Sequence, residues 1–188
     1  MKSRIQRWLS CQVRAQMRLP STTTGSSTYV APTTSASHLH FFTVVIRLPL
    51  MTPAVARIST VVTLPDTCVA QLVVEAIVED AAAKRELYTR LENVVAPECI
   101  LATNTSSLSI TELAAGLAHP GRVVGMHFFN PAPVMPLVEV VSGLATAPSV
   151  AATIFATAAA WGKTPVHAAS TPGFIVNRCA RPFYGEGL

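Results

Sequence analysis

Residues 125–141 read GMHFFNPAPVMPLVEVV, which sets one histidine, one asparagine and one glutamate among apolar residues and three prolines. A short apolar strand over 122–126 delivers His127 to its C-terminal end, and the prolines at 131, 133 and 136 exclude a helix straight afterwards. A second apolar run, Leu137 to Val141, carries Glu139 as its only charge. A lone carboxylate between Val138 and Val140 is costly to bury unless it is paired, and His127 is the nearest candidate partner in sequence. A carboxylate that orients an imidazole is a common arrangement for a general base. The same residues also admit a plainer account, a satisfied core histidine and an edge-strand glutamate.

Upstream of this stretch the pattern is regular α/β. Leu72 to Val78 is an apolar run interrupted by Glu75, suited to a strand buried on both faces of a parallel sheet. Asp80 caps a helix in which Ala83, Leu87, Leu91, Val94 and Val95 share a face, and Pro97 stops it. Ile100 to Ala102 is the next strand, and Ser109 with Glu112 forms a capping box for a helix through Ile110, Leu113 and Leu117. Downstream, a helix runs from Pro148 to Trp161 with Gly162 just past its end, followed by a short strand from Lys163 to His167. Loops at the carboxyl ends of parallel strands meet at one edge of such a sheet, so Glu79, Ser106 and His127 should converge there.

The wording HFFNPAPVMPLVEVV (127–141), with ATNTSSLSIT (102–111) and TPGFIVNR (171–178), closely resembles the nucleotide-binding domain of the 3-hydroxyacyl-CoA dehydrogenases of the 3-hydroxybutyryl-CoA dehydrogenase type. The resemblance runs without a gap from about Asp66 to Arg178, weakens back to about Arg57 and fails before that. It implies a doubly wound, mostly parallel Rossmann-like α/β sheet, NAD as cofactor, and oxidation of 3-hydroxyacyl-CoA to 3-ketoacyl-CoA in acyl-CoA degradation, with acetoacetyl-CoA as a product of that class. His127 resembles the base that takes the proton of the substrate 3-hydroxyl, and Glu139 the carboxylate that holds its imidazole. Ser106 and Asn177 match substrate-contacting positions, while Glu79, Lys84, Ser106 and Asn130 match positions on the ribose and nicotinamide side of the cofactor. Taken without the resemblance, Ser106 and Ser107 read equally as turn residues, Lys84 as a solvated helix charge and Asn177 as capping or turn chemistry.

The family's most informative motif has no counterpart. A Gly-rich turn lets the backbone approach the cofactor pyrophosphate at a helix N-terminus, yet of nine glycines only Gly25 precedes Gly116. The expected division is therefore a basic Ser/Thr-rich segment over 1–56, a partial NAD-binding domain over 57–171, and over 172–188 the start of the family's C-terminal helical domain, which also makes its homodimer. The chain is expected to be truncated at both ends relative to the family, with weak or undetectable dehydrogenase activity. The competing expectation is a non-catalytic α/β module that binds a nucleotide, a CoA thioester or a partner chain.

Charge is split unevenly. Residues 1–65 hold seven Lys or Arg and no acid, a charge of +7, whereas 66–188 hold seven basic and ten acidic residues, a charge of −3. The basic residues of the first part lie in a segment without a clear core, which argues against a nucleic-acid partner. Residues 1–20 suit a short basic amphipathic helix, and 21–37, with eleven Ser or Thr, an unstructured linker. This acid-free start also has the composition of a mitochondrial transit peptide, or of an upstream stretch read through a wrong start; a cytoplasmic enzyme is the expectation. The composition, 50% apolar and 13% charged with mean hydropathy +0.42, fits one globular domain with a sizeable core. No apolar run reaches the roughly 18 to 20 residues of a membrane span. The cysteines at 11, 68, 99 and 179 have no metal-ligand spacing, so no metal is expected.

Overall fold

The computed structural model describes residues 29–30, 43–44, 60–61 and 63–186. Its strands are β1 (Tyr29–Val30), β2 (Thr43–Val44), β3 (Thr60–Val61), β4 (Leu72–Glu75), β5 (Ile100–Thr103), β6 (Val123–Phe128), β7 (Leu137–Ser142) and β8 (Thr164–Ala169). Its helices are α1 (Ala81–Glu92), α2 (Ile110–Ala114), α3 (Pro148–Ala160) and α4 (Val176–Glu186). The strands form one sheet in the order β3-β1-β2-β4-β5-β6-β7-β8. Strands β4, β5 and β6 are parallel, β7 returns antiparallel to β6, and β8 runs parallel to β7.

Alternation along the strands sorts the core onto two faces. Val73, Leu101, Val123 and Val141 point to the side covered by Leu87, Tyr88 and Leu91 of α1 and by Ile110 and Ala114 of α2. Ala102, Val124, Met126, Val138 and Val140 point to the other side, where Ala151, Ile154 and Ala158 of α3 pack. Helices on both faces make the sheet doubly wound, as the sequence predicts. Each fully buried Leu or Ile contributes about 2 kcal/mol by leaving water.

Helix ends follow their caps. Asp80 accepts a hydrogen bond from Ala83 N at 2.8 Å to start α1, and Ser109 Oγ accepts from Glu112 N at 3.2 Å to start α2. Helix α2 stops at Ala114 rather than running through Leu117, because Gly116 takes φ 85° and turns the chain out of the helix. Strand β4 ends at Glu75 rather than Val78, since the Glu75 carboxylate accepts from Ile77 N at 2.6 Å and draws the backbone out of the ladder. Arg122 belongs to a 3-10 turn, Pro120–Arg122, and β6 continues through Phe128, so His127 lies inside the strand instead of just beyond it.

The edge next to β4 is occupied. Thr43 pairs with Glu75 and Val44 with Val74, so β2 covers this edge in antiparallel sense. Tyr29–Val30, within the stretch expected to be an unstructured linker, forms β1 between β2 and β3, consistent with the strand preference of an aromatic followed by a β-branched residue. The helix expected over 1–20 lies outside the described residues. Among the described residues no helix is long and apolar enough to cross a membrane.

Candidate active site

The antiparallel register of β6 and β7 sets His127 directly opposite Glu139. Both side chains therefore emerge on the same face, and His127 Nδ1 meets Glu139 Oε2 at 2.6 Å. Glu139 is fully buried and His127 is 5% exposed, so the contact is shielded from water. A carboxylate only accepts, which places the proton of the neutral imidazole on Nδ1 and leaves Nε2 as its basic nitrogen. The second oxygen of Glu139 is satisfied as well: Ile175 N and Val176 N donate to Oε1 at 2.9 and 3.0 Å. The imidazole lies against two aromatic rings, Phe129 at a centroid distance of 4.5 Å and Phe174 at 5.8 Å.

A second carboxylate organises the loop after β5. Glu79 Oε1 accepts from Thr105 Oγ1 at 2.6 Å, Ser106 N at 2.8 Å and Ser106 Oγ at 3.1 Å, with Ser107 N and Oγ slightly further away. Burial pushes the Glu79 carboxyl up, but the bonds from Thr105 and Ser106 and the charge of Lys84 outweigh it, so its pKa lies below the usual 4.5. Its side chain remains 38% exposed, which keeps this carboxylate presented at the carboxyl end of the parallel strands.

Beneath Glu79 lies a buried ion pair. Lys84 Nζ is 2.6 Å from Glu75 Oε1 and 3.6 Å from Glu79 Oε2, and both Lys84 and Glu75 are out of contact with water. Thr103 Oγ1 donates to Glu75 Oε2 at 2.7 Å, and Tyr88 is buried beside this group, its hydroxyl pKa pushed well up by burial and by the Glu75 charge. Lys84 is thus neither a solvated helix charge nor a surface contact; it reaches the sheet edge through Glu79.

Three consecutive residues join these parts. Ile175 and Val176 bind Glu139, and Asn177 Nδ2 donates to Ser106 O at 3.0 Å. The structure therefore connects Lys84, Glu79, Ser106, Asn177, Glu139 and His127 through direct contacts and one short length of backbone. Asn130 lies three residues after His127, exposed, where the Pro-rich loop begins. That loop is held by Lys163 Nζ, which donates to the carbonyls of Ala132 and Met135. Sequence reasoning missed Glu75, Thr103 and Asn104, whose Oδ1 accepts from Phe128 N at 2.8 Å and ties the ends of β5 and β6. Glu75 carried a signal: like Glu139, it is a lone carboxylate in an apolar strand.

Of the residues at this edge, the 38% exposed Glu79 carboxylate could hold a ribose hydroxyl of a dinucleotide, with Ser106 and Asn130 just past the ends of the neighbouring strands β5 and β6, whereas the buried Lys84 reaches the edge only through Glu79.

The family profile described as 3-hydroxyacyl-CoA dehydrogenase, NAD binding domain, matches residues 34–171. The match begins well before Arg57, where the resemblance of motifs fades, and takes in the residues that form β2. A 3-hydroxyadipyl-CoA dehydrogenase of Escherichia coli K12 is 56% identical over 117 residues, which are 62% of this chain and 25% of the relative. A probable 3-hydroxybutyryl-CoA dehydrogenase of Bacillus subtilis is 48% identical over 132 residues, covering 70% of this chain and 46% of the relative. The crystal structure of a 3-hydroxybutyryl-CoA dehydrogenase from Escherichia coli superposes with TM-score 0.69 at 51% identity, over 71% of this chain and 28% of that one. The chain thus spans between a quarter and about half of the length of these relatives.

Proposed function

This chain belongs to the 3-hydroxyacyl-CoA dehydrogenase family through its NAD-binding domain, and from that membership we propose that it takes part in the NAD-dependent oxidation of a 3-hydroxyacyl-CoA to the 3-ketoacyl-CoA. The observation that carries this reading is the buried 2.6 Å contact between His127 Nδ1 and Glu139 Oε2. Bound NAD supplies the acceptor for the hydride that leaves carbon 3. His127 accepts the proton of the 3-hydroxyl at Nε2 as that hydride departs. Glu139 stabilises the imidazolium so formed and holds the ring to one orientation. Glu79 binds the nicotinamide ribose, Asn130 lies on the nicotinamide side, and Ser106 with Asn177 receives the oxygen-bearing end of the substrate. The Phe129 and Phe174 rings keep water from the imidazole.

In the reverse direction the protonated His127 returns its proton to the keto oxygen, which gives a convenient assay. Purified chain is titrated with NADH by fluorescence, and acetoacetyl-CoA is then added while NADH oxidation is followed. The expected result is slow oxidation, weaker than that of a relative with the Gly-rich turn, which His127→Ala lowers further by about 10²- to 10⁴-fold, the usual contribution of a positioned acid or base, with NADH binding retained. NADH binding without oxidation, unaffected by His127→Ala, would instead identify a binding module.

A further inference from the structure

Phe174 has φ 50°, a left-handed conformation that residues with a side chain seldom adopt. Gly173 before it has φ 74°, and a Cβ there would lie 2.9 Å from the backbone nitrogen of Arg178, so the turn admits no side chain at that position. Beginning a helix requires no left-handed residue, still less an aromatic one. What the turn accomplishes is specific. Two successive left-handed residues fold the chain back so that the next two amides, of Ile175 and Val176, converge on one oxygen of Glu139 at 2.9 and 3.0 Å. The same turn buries the Phe174 ring, 3% exposed, edge-on to His127 at 5.8 Å.

We infer that the Gly173–Phe174 turn is a positioning device for the His127–Glu139 pair, in which two backbone amides fix the Glu139 carboxylate and the Phe174 ring braces the imidazole. The inference rests on reading that pair as the base. With Oε1 committed to two amides at the start of α4, the carboxylate cannot rotate, and Oε2 alone faces His127. The ring supplies the second constraint, since an imidazole bonded only through Nδ1 can still tilt about that bond. Phe174 acts through Glu139 and His127 and is a positioning residue.

The test uses the full chain with two variants. Gly173→Ala keeps the Phe174 ring but drives a Cβ into the Arg178 backbone; Phe174→Gly removes the ring and leaves a residue at ease with positive φ. Hydrogen exchange followed by NMR reads the Ile175 and Val176 amides, and long-range proton–nitrogen spectra of the imidazole read which His127 nitrogen carries the proton. In Gly173→Ala both amides should lose about tenfold or more of their protection, as when a bond to a charged acceptor is lost, and His127 should pass from a single Nδ1–H tautomer to a mixture. In Phe174→Gly the amides should stay protected while His127 passes from a single Nδ1–H tautomer to a mixture, a change that the lost ring current of Phe174 does not itself produce. The amides of Val138 and Val140 in β7 should keep their protection in both, which shows that the sheet is intact.

A single Nδ1–H tautomer of His127 retained in Phe174→Gly, or unaltered protection of Ile175 and Val176 in a folded Gly173→Ala, would overturn the inference. Should Gly173→Ala unfold, seen as lost protection in β7, Phe174→Gly decides alone. The unsubstituted chain is assayed in parallel with NADH and acetoacetyl-CoA. Absence of turnover there counts against the dehydrogenase reading, while the spectra still report on the turn, so the two failures are told apart.

Discussion

Lys84 and Glu75 meet at 2.6 Å with neither side chain more than 1% exposed, which makes them a buried ion pair at the junction of α1 with β4. Removing one partner of such a pair leaves an uncompensated charge out of water, at a cost of about 3–5 kcal/mol. Lys84→Met should therefore destabilise the chain by about that amount in urea unfolding. Glu75→Gln combined with Lys84→Met should cost less than the sum of the two single changes, because the double variant buries no isolated charge. Strict additivity would show that the two groups do not interact.

Acid should weaken the chain partly through Glu79. Its folded pKa lies below 4.5, its value when free. The ionised carboxylate thus favours the folded state above about pH 4.5, and that advantage is lost as pH falls through the lowered folded value. Glu79→Gln should accordingly be less stable than the parent at pH 7, with the gap in urea midpoint narrowing at pH 3. A gap that is constant with pH would mean that the Thr105 and Ser106 bonds do not depend on the charge.

Loss of the carboxylate at 139 should be felt in stability as well as in chemistry. Glu139→Ala leaves the Ile175 and Val176 amides and the His127 Nδ1–H without their acceptor in a buried place. The expected cost is about 3 kcal/mol or more in urea unfolding, about 1 kcal/mol at least for each of the three donors left without a partner. His127→Ala orphans one oxygen of the carboxylate and should cost less.

Close packing of β6 on β7 and α2 depends on one glycine. A Cβ at Gly125 would lie 2.7 Å from Val141 Cβ and 3.1 Å from Ile110 Cδ1. Gly125→Ala should destabilise by about 1–3 kcal/mol through overpacking, because the nearest atom is a Cβ fixed to the neighbouring strand and not the free end of a side chain. The check is the urea midpoint of the variant against the parent.

Those parts of the fold governed by local chemistry were legible in the sequence. Asp80 and Ser109 cap the helices they were expected to cap, and Gly162, at φ 75°, ends α3 where the sequence predicts. The His127–Glu139 contact was legible for a different reason: a lone charge in an apolar strand must find a partner, and few were at hand. The same logic applied to Glu75, but its partner is on a helix whose apolar spacing points to Ala83, Leu87 and Leu91, and nothing local predicts that Lys84 and Tyr88 are buried on it. The antiparallel return of β7 and the pairing of Thr43–Val44 with β4 are set by contacts between distant segments, which single-residue preferences do not encode. Asn104 was passed over within a Ser/Thr-rich turn, where its side chain differs from its neighbours only in what it reaches across the sheet.

The His127–Glu139 pair is written into strand register, and this gives the gene a particular grammar of insertion and deletion. Along β7, Glu139 stands between Val138 and Val140, and a strand alternates faces at every residue. Dropping or adding one codon within β6 or β7 would bring a valine opposite His127 and turn the carboxylate toward α3. The Pro-rich connection beyond Asn130 has no such register to keep, since it can change length while the ladder holds its pairing. Drift in length should therefore gather in residues 131–136, and the two short strands should pass through a lineage in step, as one inherited unit.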